Sequence, residues 1–134
     1  MRDRGWWIGA ALSGALVVMA GAFGAHALEG QLSPRLAAAF ETGVRYQAWH
    51  TLALLALLAW RASQPRAGQR LAMGLWAAGT TFFSGSLYAM ALTGATGLGI
   101  ITPFGGVLMI AGWLALAVAV LRARPPGQSP SGSA

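Results

Sequence analysis

Four apolar stretches, residues 6–25, 46–60, 71–92 and 103–121, take up most of this chain, parted by short polar breaks. A helix needs roughly 20 predominantly apolar residues to cross about 30 Å of hydrocarbon. Three stretches reach that length, and the second does so once residues 43–45 are counted. Only 9% of the 134 residues are charged, against about 25% in an ordinary soluble domain, too few to cover a globule. The expectation is a single all-α domain over residues 1–124, an integral membrane four-helix bundle with helices at about 6–26, 43–60, 71–92 and 103–121. Residues 125–134, "PPGQSPSGSA", hold no apolar run and are expected to form a disordered cytoplasmic tail.

The first stretch follows Arg2 and Arg4, as a secretory signal would. It is longer than the roughly 7–15 residues of a signal h-region, and its small residues are spread rather than gathered at one cleavage site. A first membrane helix is the better reading. With no Cys, the chain has no disulfide, thiolate metal site or thiol nucleophile.

All nine basic residues are Arg, and the net charge is +6. None forms a run on a polar helix, so nucleic acid is not an expected partner. Arg2, Arg4, Arg61, Arg66, Arg70, Arg122 and Arg124 flank helix ends that share one side after four crossings, with Asp3 the lone acid among them. On the opposite side Arg35 and Arg45 are offset by Glu29 and Glu41. Cytoplasmic loops hold the excess of Arg and Lys, so both termini are expected in the cytoplasm. Trp6, Trp7, Trp49 and Trp60 stand near helix ends, as interfacial anchors do.

The segment "LSPRLAAAFETG" is more than a loop. Ser33 is placed as an N-cap and Pro34 at the first helical position. A helix is expected from there, interfacial over about residues 34–42 and continuous with the second crossing. Leu36, Ala39, Phe40, Gly43, Tyr46, Gln47, His50, Ala53, Leu54 and Leu57 follow one stripe at spacings of three and four. Arg45 lies off that stripe, one turn from Glu41, and its reach lets it snorkel outwards. Binding of a lipid head group or an anion is the other reading of Arg45.

The candidate site is a polar cluster expected near the outer face: His26, Arg45, Tyr46, Gln47, His50, Thr80, Ser84 and Ser86. His26 ends the first helix and His50 lies in the second, both expected at similar depth. Two facing helices offering one His each can ligate haem or a metal, with Glu29 and Glu41 the only nearby additions for zinc. The plainer reading is that each imidazole bonds a backbone or side-chain group, and no cofactor is expected. The hydroxyls of Thr80, Thr81, Ser84 and Ser86 in the third helix are the expected partners of Tyr46 and Gln47. Gly21, Gly24, Gly43, Gly85, Gly105 and Gly106 are expected to let helices pack closely. Ser84 and His50 lack a third group to orient the imidazole, and no phosphate loop or nucleophile elbow is present.

Taken together, "GAFGAHAL", "TGVRYQAWHTLALL", "FFSGSLYAMAL" and "TPFGGVLMIAGW" resemble the family of domain of unknown function 423, which takes in YgdD-like bacterial inner-membrane proteins and the eukaryotic transmembrane protein 256. The resemblance covers residues 14–113 and implies a four-helix protein of the inner membrane. It supplies neither an activity nor catalytic residues. The expected function is therefore a small non-enzymatic membrane protein whose polar cluster packs helices or binds a lipid or a membrane-protein partner, including a second copy. The alternatives are an oligomeric transporter or channel component and a bis-His haem or metal protein.

Overall fold

The computed structural model describes residues 1–125 and 127; the tail expected over residues 125–134 lies almost wholly outside them. The chain is all-helical, with no strand among the described residues. The order is α1 (Arg4–His26), α2 (Pro34–Ser63), α3 (Gln69–Thr93), a 3-10 turn (Thr96–Ile100) and α4 (Thr102–Leu121). Two segments, Arg4–His26 and Thr96–Leu121, are long and apolar enough to cross a bilayer, with mean hydropathy of 1.9 and 2.3. The middle helices carry the polar groups: Arg45, Gln47, His50 and Arg61 in α2, and Gln69, Arg70 and the hydroxyl series in α3.

Local chemistry sets the helix ends. Ser33 Oγ accepts from Leu36 N at 3.3 Å, with Pro34 at the first helical position, so α2 starts where an N-cap and a pre-set φ coincide. At about 1.5 Å per residue its 30 residues span about 45 Å, one helix without a break at Gly43. Asp3 caps α1 from a left-handed backbone (φ 63°), a conformation an L-residue holds only against a steric cost.

Consecutive helices pack side by side, α1 on α2, α2 on α3 and α3 on α4. Among the described residues no Cα of α1 comes within 8 Å of α3 or α4. The result is an open row along α1, not the closed bundle expected. Hydrocarbon solvates Leu as well as another Leu does, so apolar faces have no drive to close on one another. Small residues meet α2 instead: Ala10 is buried, and Gly14, Gly21 and Gly24 face Thr51, Val44 and Phe40. Leu12, Leu16, Val18 and Met19 remain exposed.

The α3–α4 seam is the tightest. A methyl at Gly79 would lie 2.8 Å from Met109 N and 2.9 Å from Gly105 O, and one at Gly105 would meet the backbone of Phe83 and Gly79. Gly112 likewise faces the Trp76 indole. Of the glycines expected to pack, Gly24, Gly43 and Gly105 make close approaches. Gly21 and Gly106 make ordinary contacts, and a methyl at Gly85 would meet nothing within 4 Å among the described residues. Gly85 looks into open space because the α3 face that carries it meets a gap, with α1 too far across it to make contact.

Candidate functional site: a saturated polar seam beneath an apolar groove

Midway along α2, successive turns aim polar side chains at three other helices. Gln47 Nε2 donates to Ser13 Oγ at 3.1 Å and lies 3.3 Å from Ser13 O, while its Oε1 accepts from Tyr88 OH at 2.7 Å. Ser13 and Thr51 share a 2.7 Å hydroxyl–hydroxyl bond. Ser84 Oγ donates to Gly43 O at 2.7 Å, tying α3 to the α2 backbone. The outer partners of Gln47 are thus Ser13 and Tyr88, and not the hydroxyls expected. Thr81 bonds back to Ala77 O, Thr80 reaches Met109 Sδ at 3.8 Å, and Ser86 pairs with Phe83 O and Thr102 across to α4. A helical hydroxyl turned away from its own carbonyls finds whichever neighbour its face meets, and for these residues that neighbour is mostly α4.

His50 is held by two bonds whose directions follow from chemistry. Trp113 Nε1 lies 3.1 Å from His50 Nε2, and an indole nitrogen can only donate. Nε2 therefore carries a lone pair, and Nδ1 carries the hydrogen it donates to Tyr46 O at 2.8 Å. The ring is buried between Trp76 and Trp113, with centroids 6.2 and 5.9 Å away. Tyr46 contributes its carbonyl, and its ring packs on Phe83 and Trp49.

The other members of the expected cluster stand apart. His26 is exposed at the end of α1. Gly24, two residues before it, sits on Phe40, ten residues ahead of His50 and so about 15 Å along α2. The two imidazoles are not at one depth and form no bis-His site, because His50 lies midway along α2 and His26 at the tip of α1. Among the described residues no group of three or more His, Asp or Glu is placed to hold a metal. Arg45 lies on the exposed side of α2, 3.5 Å from Glu41, a surface pair of the kind that contributes about 0–1 kcal/mol.

Two further features complete the site. Asp3 Oδ2 accepts from Arg61 Nε and Asp3 Oδ1 from Arg70 Nη2, both at 2.8 Å, joining the starts of α1 and α3 to the end of α2. Gln69 accepts from Arg61 and from Arg66 N. The hydrogen bond from Arg70, with help from Arg61 and both charges, holds the Asp3 carboxyl below its ordinary 3.8 against the opposing effect of burial. Between α1 and α3, with α2 as floor, runs a groove of about 1220 Å³. Trp6, Leu12, Leu16, Met19 and Phe23 form one wall, and Ala77, Thr81, Gly85, Tyr88 and Leu92 the other; Gln47, His50, Thr51 and Leu54 lie along the floor. Phe23, Phe40 and Tyr88 pack in series across its far end as tilted rings, with centroids 6.3 and 5.1 Å apart. Among the described residues the one buried side-chain polar atom without a partner is Trp76 Nε1, which faces Gly112 of α4.

Sequence reasoning missed Ser13, Thr51, Tyr88, Trp113, Asp3 and Arg61 as parts of these networks. Signals were present: Ser13 is the lone polar side chain inside the first stretch, Trp76 and Trp113 stand mid-helix where interfacial anchors do not, and Asp3 is one acid among seven arginines.

Residues 20–106 match the family described as protein of unknown function (DUF423). A UPF0382 membrane protein of Staphylococcus epidermidis is 45% identical over 84% of this chain and 91% of its own. One from Haemophilus influenzae is 43% identical over 80% and 86%. The inner membrane protein YgdD of Escherichia coli K12 is 39% identical over 96% and 98%. No solved structure matches. With the family model matching residues 20–106 and these relatives aligned over 86–98% of their own length, this chain belongs to the DUF423 family of membrane proteins.

Proposed function

We propose that this is a non-enzymatic inner-membrane protein that crosses the bilayer four times, with both termini in the cytoplasm. Its polar seam fixes the helices, and its lateral groove takes up an apolar membrane component. The Arg distribution supports the topology: the ends of α1, α2 and α3 that meet at Asp3 are the Arg-rich ends, as cytoplasmic ends are. The observation that carries the reading is saturation. Gln47, His50, Thr51, Ser84 and Tyr88 all have partners inside the protein, whereas a catalytic or proton-carrying group must exchange its partner for substrate or water.

Reconstitution in liposomes loaded with a pH-sensitive dye tests it. Proton flux should equal that of protein-free liposomes, and His50→Phe should lower thermal stability without changing flux. Flux that disappears in His50→Phe at unchanged stability would establish the alternative, a proton path through His50.

A further inference from the structure

We propose that the α1–α3 groove holds an acyl chain of an anionic phospholipid, with the phosphate at the Arg-rich end against Arg70. The inference rests on the membrane-embedded reading above and names the occupant of its groove. Three observations converge. The groove runs from Gly5 to Phe23 of α1, about 27 Å at 1.5 Å per residue, so it follows the hydrocarbon for nearly its full depth. Its polar floor is saturated by bonds within the protein, so an occupant needs no hydrogen-bonding group there, and a hydrocarbon chain meets that condition. No charged residue lines it among those described, but its two ends differ in charge.

At one end Arg70 is 64% exposed and gives one of its guanidinium nitrogens to Asp3, so further N–H groups remain to donate, since a guanidinium carries five. Arg2 and Arg4 are exposed nearby at the start of α1. Asp3 itself is enclosed, 6% exposed, and already bridged by two arginines, so it does not repel an anion. At the other end the lining closes with Phe23, Phe40, Tyr88 and Leu92, and the charges beyond it are Glu29 and Glu41 against Arg35 and Arg45. Only the first end suits a phosphate.

Native mass spectrometry of the full-length protein, with dioleoyl phosphatidylglycerol or dioleoyl phosphatidylcholine added in the same detergent, reads this directly. The expected result is about a fivefold preference for the anionic lipid, the size that one arginine near an anionic head group supports. Gly85→Phe, which places a ring in the groove where a Cβ meets nothing, should abolish retention of both lipids. Arg70→Gln should keep retention and remove the preference. Thr81→Phe, on the same exposed wall, gives a second blocking variant should Gly85→Phe fail to fold. Equal retention of both lipids by wild type, or full retention in folded blocked variants, overturns the proposal. So does a protein dimer that Gly85→Phe dissolves, which would assign the groove to a second copy. These results leave the proton-flux outcome untouched, so the lipid assignment and the underlying reading fail separately.

Discussion

A single methyl added at Gly105 or at Gly85 should change stability in opposite directions. At Gly105 the new Cβ meets the Phe83 backbone nitrogen and lies 2.7 Å from Gly79 O and 2.8 Å from Phe83 Cα. These are main-chain atoms, so no rotamer change relieves the clash and α4 must move off α3. Overpacking of this kind costs about 1–3 kcal/mol. Against it stands the gain in helix propensity from Gly to Ala, about 1 kcal/mol. At Gly85 the clash is absent, and the propensity gain of about 0.5–1 kcal/mol is left alone. Gly105→Ala is therefore expected to destabilise by up to about 2 kcal/mol and Gly85→Ala to stabilise by up to about 1 kcal/mol. Unfolding in mixed micelles, followed by tryptophan fluorescence, suits the question. Trp76 and Trp113 lie at the same seam with centroids 4.4 Å apart. A Gly105→Ala protein as stable as Gly85→Ala would show that the helices are not in backbone contact there, and the packing argument would fall.

Gln47→Leu removes the links to Ser13 and Tyr88 together; at about 0.6 kcal/mol for a typical interhelical bond, the same unfolding assay should read a loss of roughly 1–2 kcal/mol. The nitrogen-15 spectrum of His50 should show hydrogen on Nδ1 and a bare Nε2, and Trp113→Phe should shift the Nε2 signal most; a hydrogen on Nε2 in wild type contradicts the assigned bond. Asp3 has its carboxyl pKa lowered on folding, so its contribution is complete above the unfolded value and is lost as pH falls through the lowered one. Wild type should therefore lose stability below pH 3.8 more steeply than Asp3→Asn, and equal slopes would dismiss the ion pair as a contributor.

Much of the fold could be read from residues whose effect is local. Ser33 and Pro34 start α2 wherever the rest of the chain lies, and the stripe through Phe40, Gly43, Gln47, His50, Leu54 and Leu57 is the face that becomes buried. Periodicity names a face but not what meets it. Gln47 was visible as an inward polar group, whereas its bonds to Ser13 and Tyr88 depend on which helices flank α2 and at what height. The pairing of His26 with His50 failed on depth: α2 extends well beyond the hydrocarbon thickness, so a residue 16 places after Pro34 lies midway along it. The gap between α1 and α3 left no mark in composition, because a lipid-facing leucine and a buried one serve the same hydropathy pattern. Asp3 was counted as a charge on one side of the membrane, a sum that ignores which arginines lie within reach.

The same carboxylate bears on the order in which the molecule can be assembled. Synthesis runs from the N-terminus, and Asp3 is made 58 residues before Arg61 and 67 before Arg70. The charged end of the first helix must therefore wait for the last turn of α2, which brings Arg61, before it gains a partner. Arg70 completes the bridge only once α3 has begun to emerge. The bridge is a record of progress, half made when α2 is in place and closed when the start of α3 joins it.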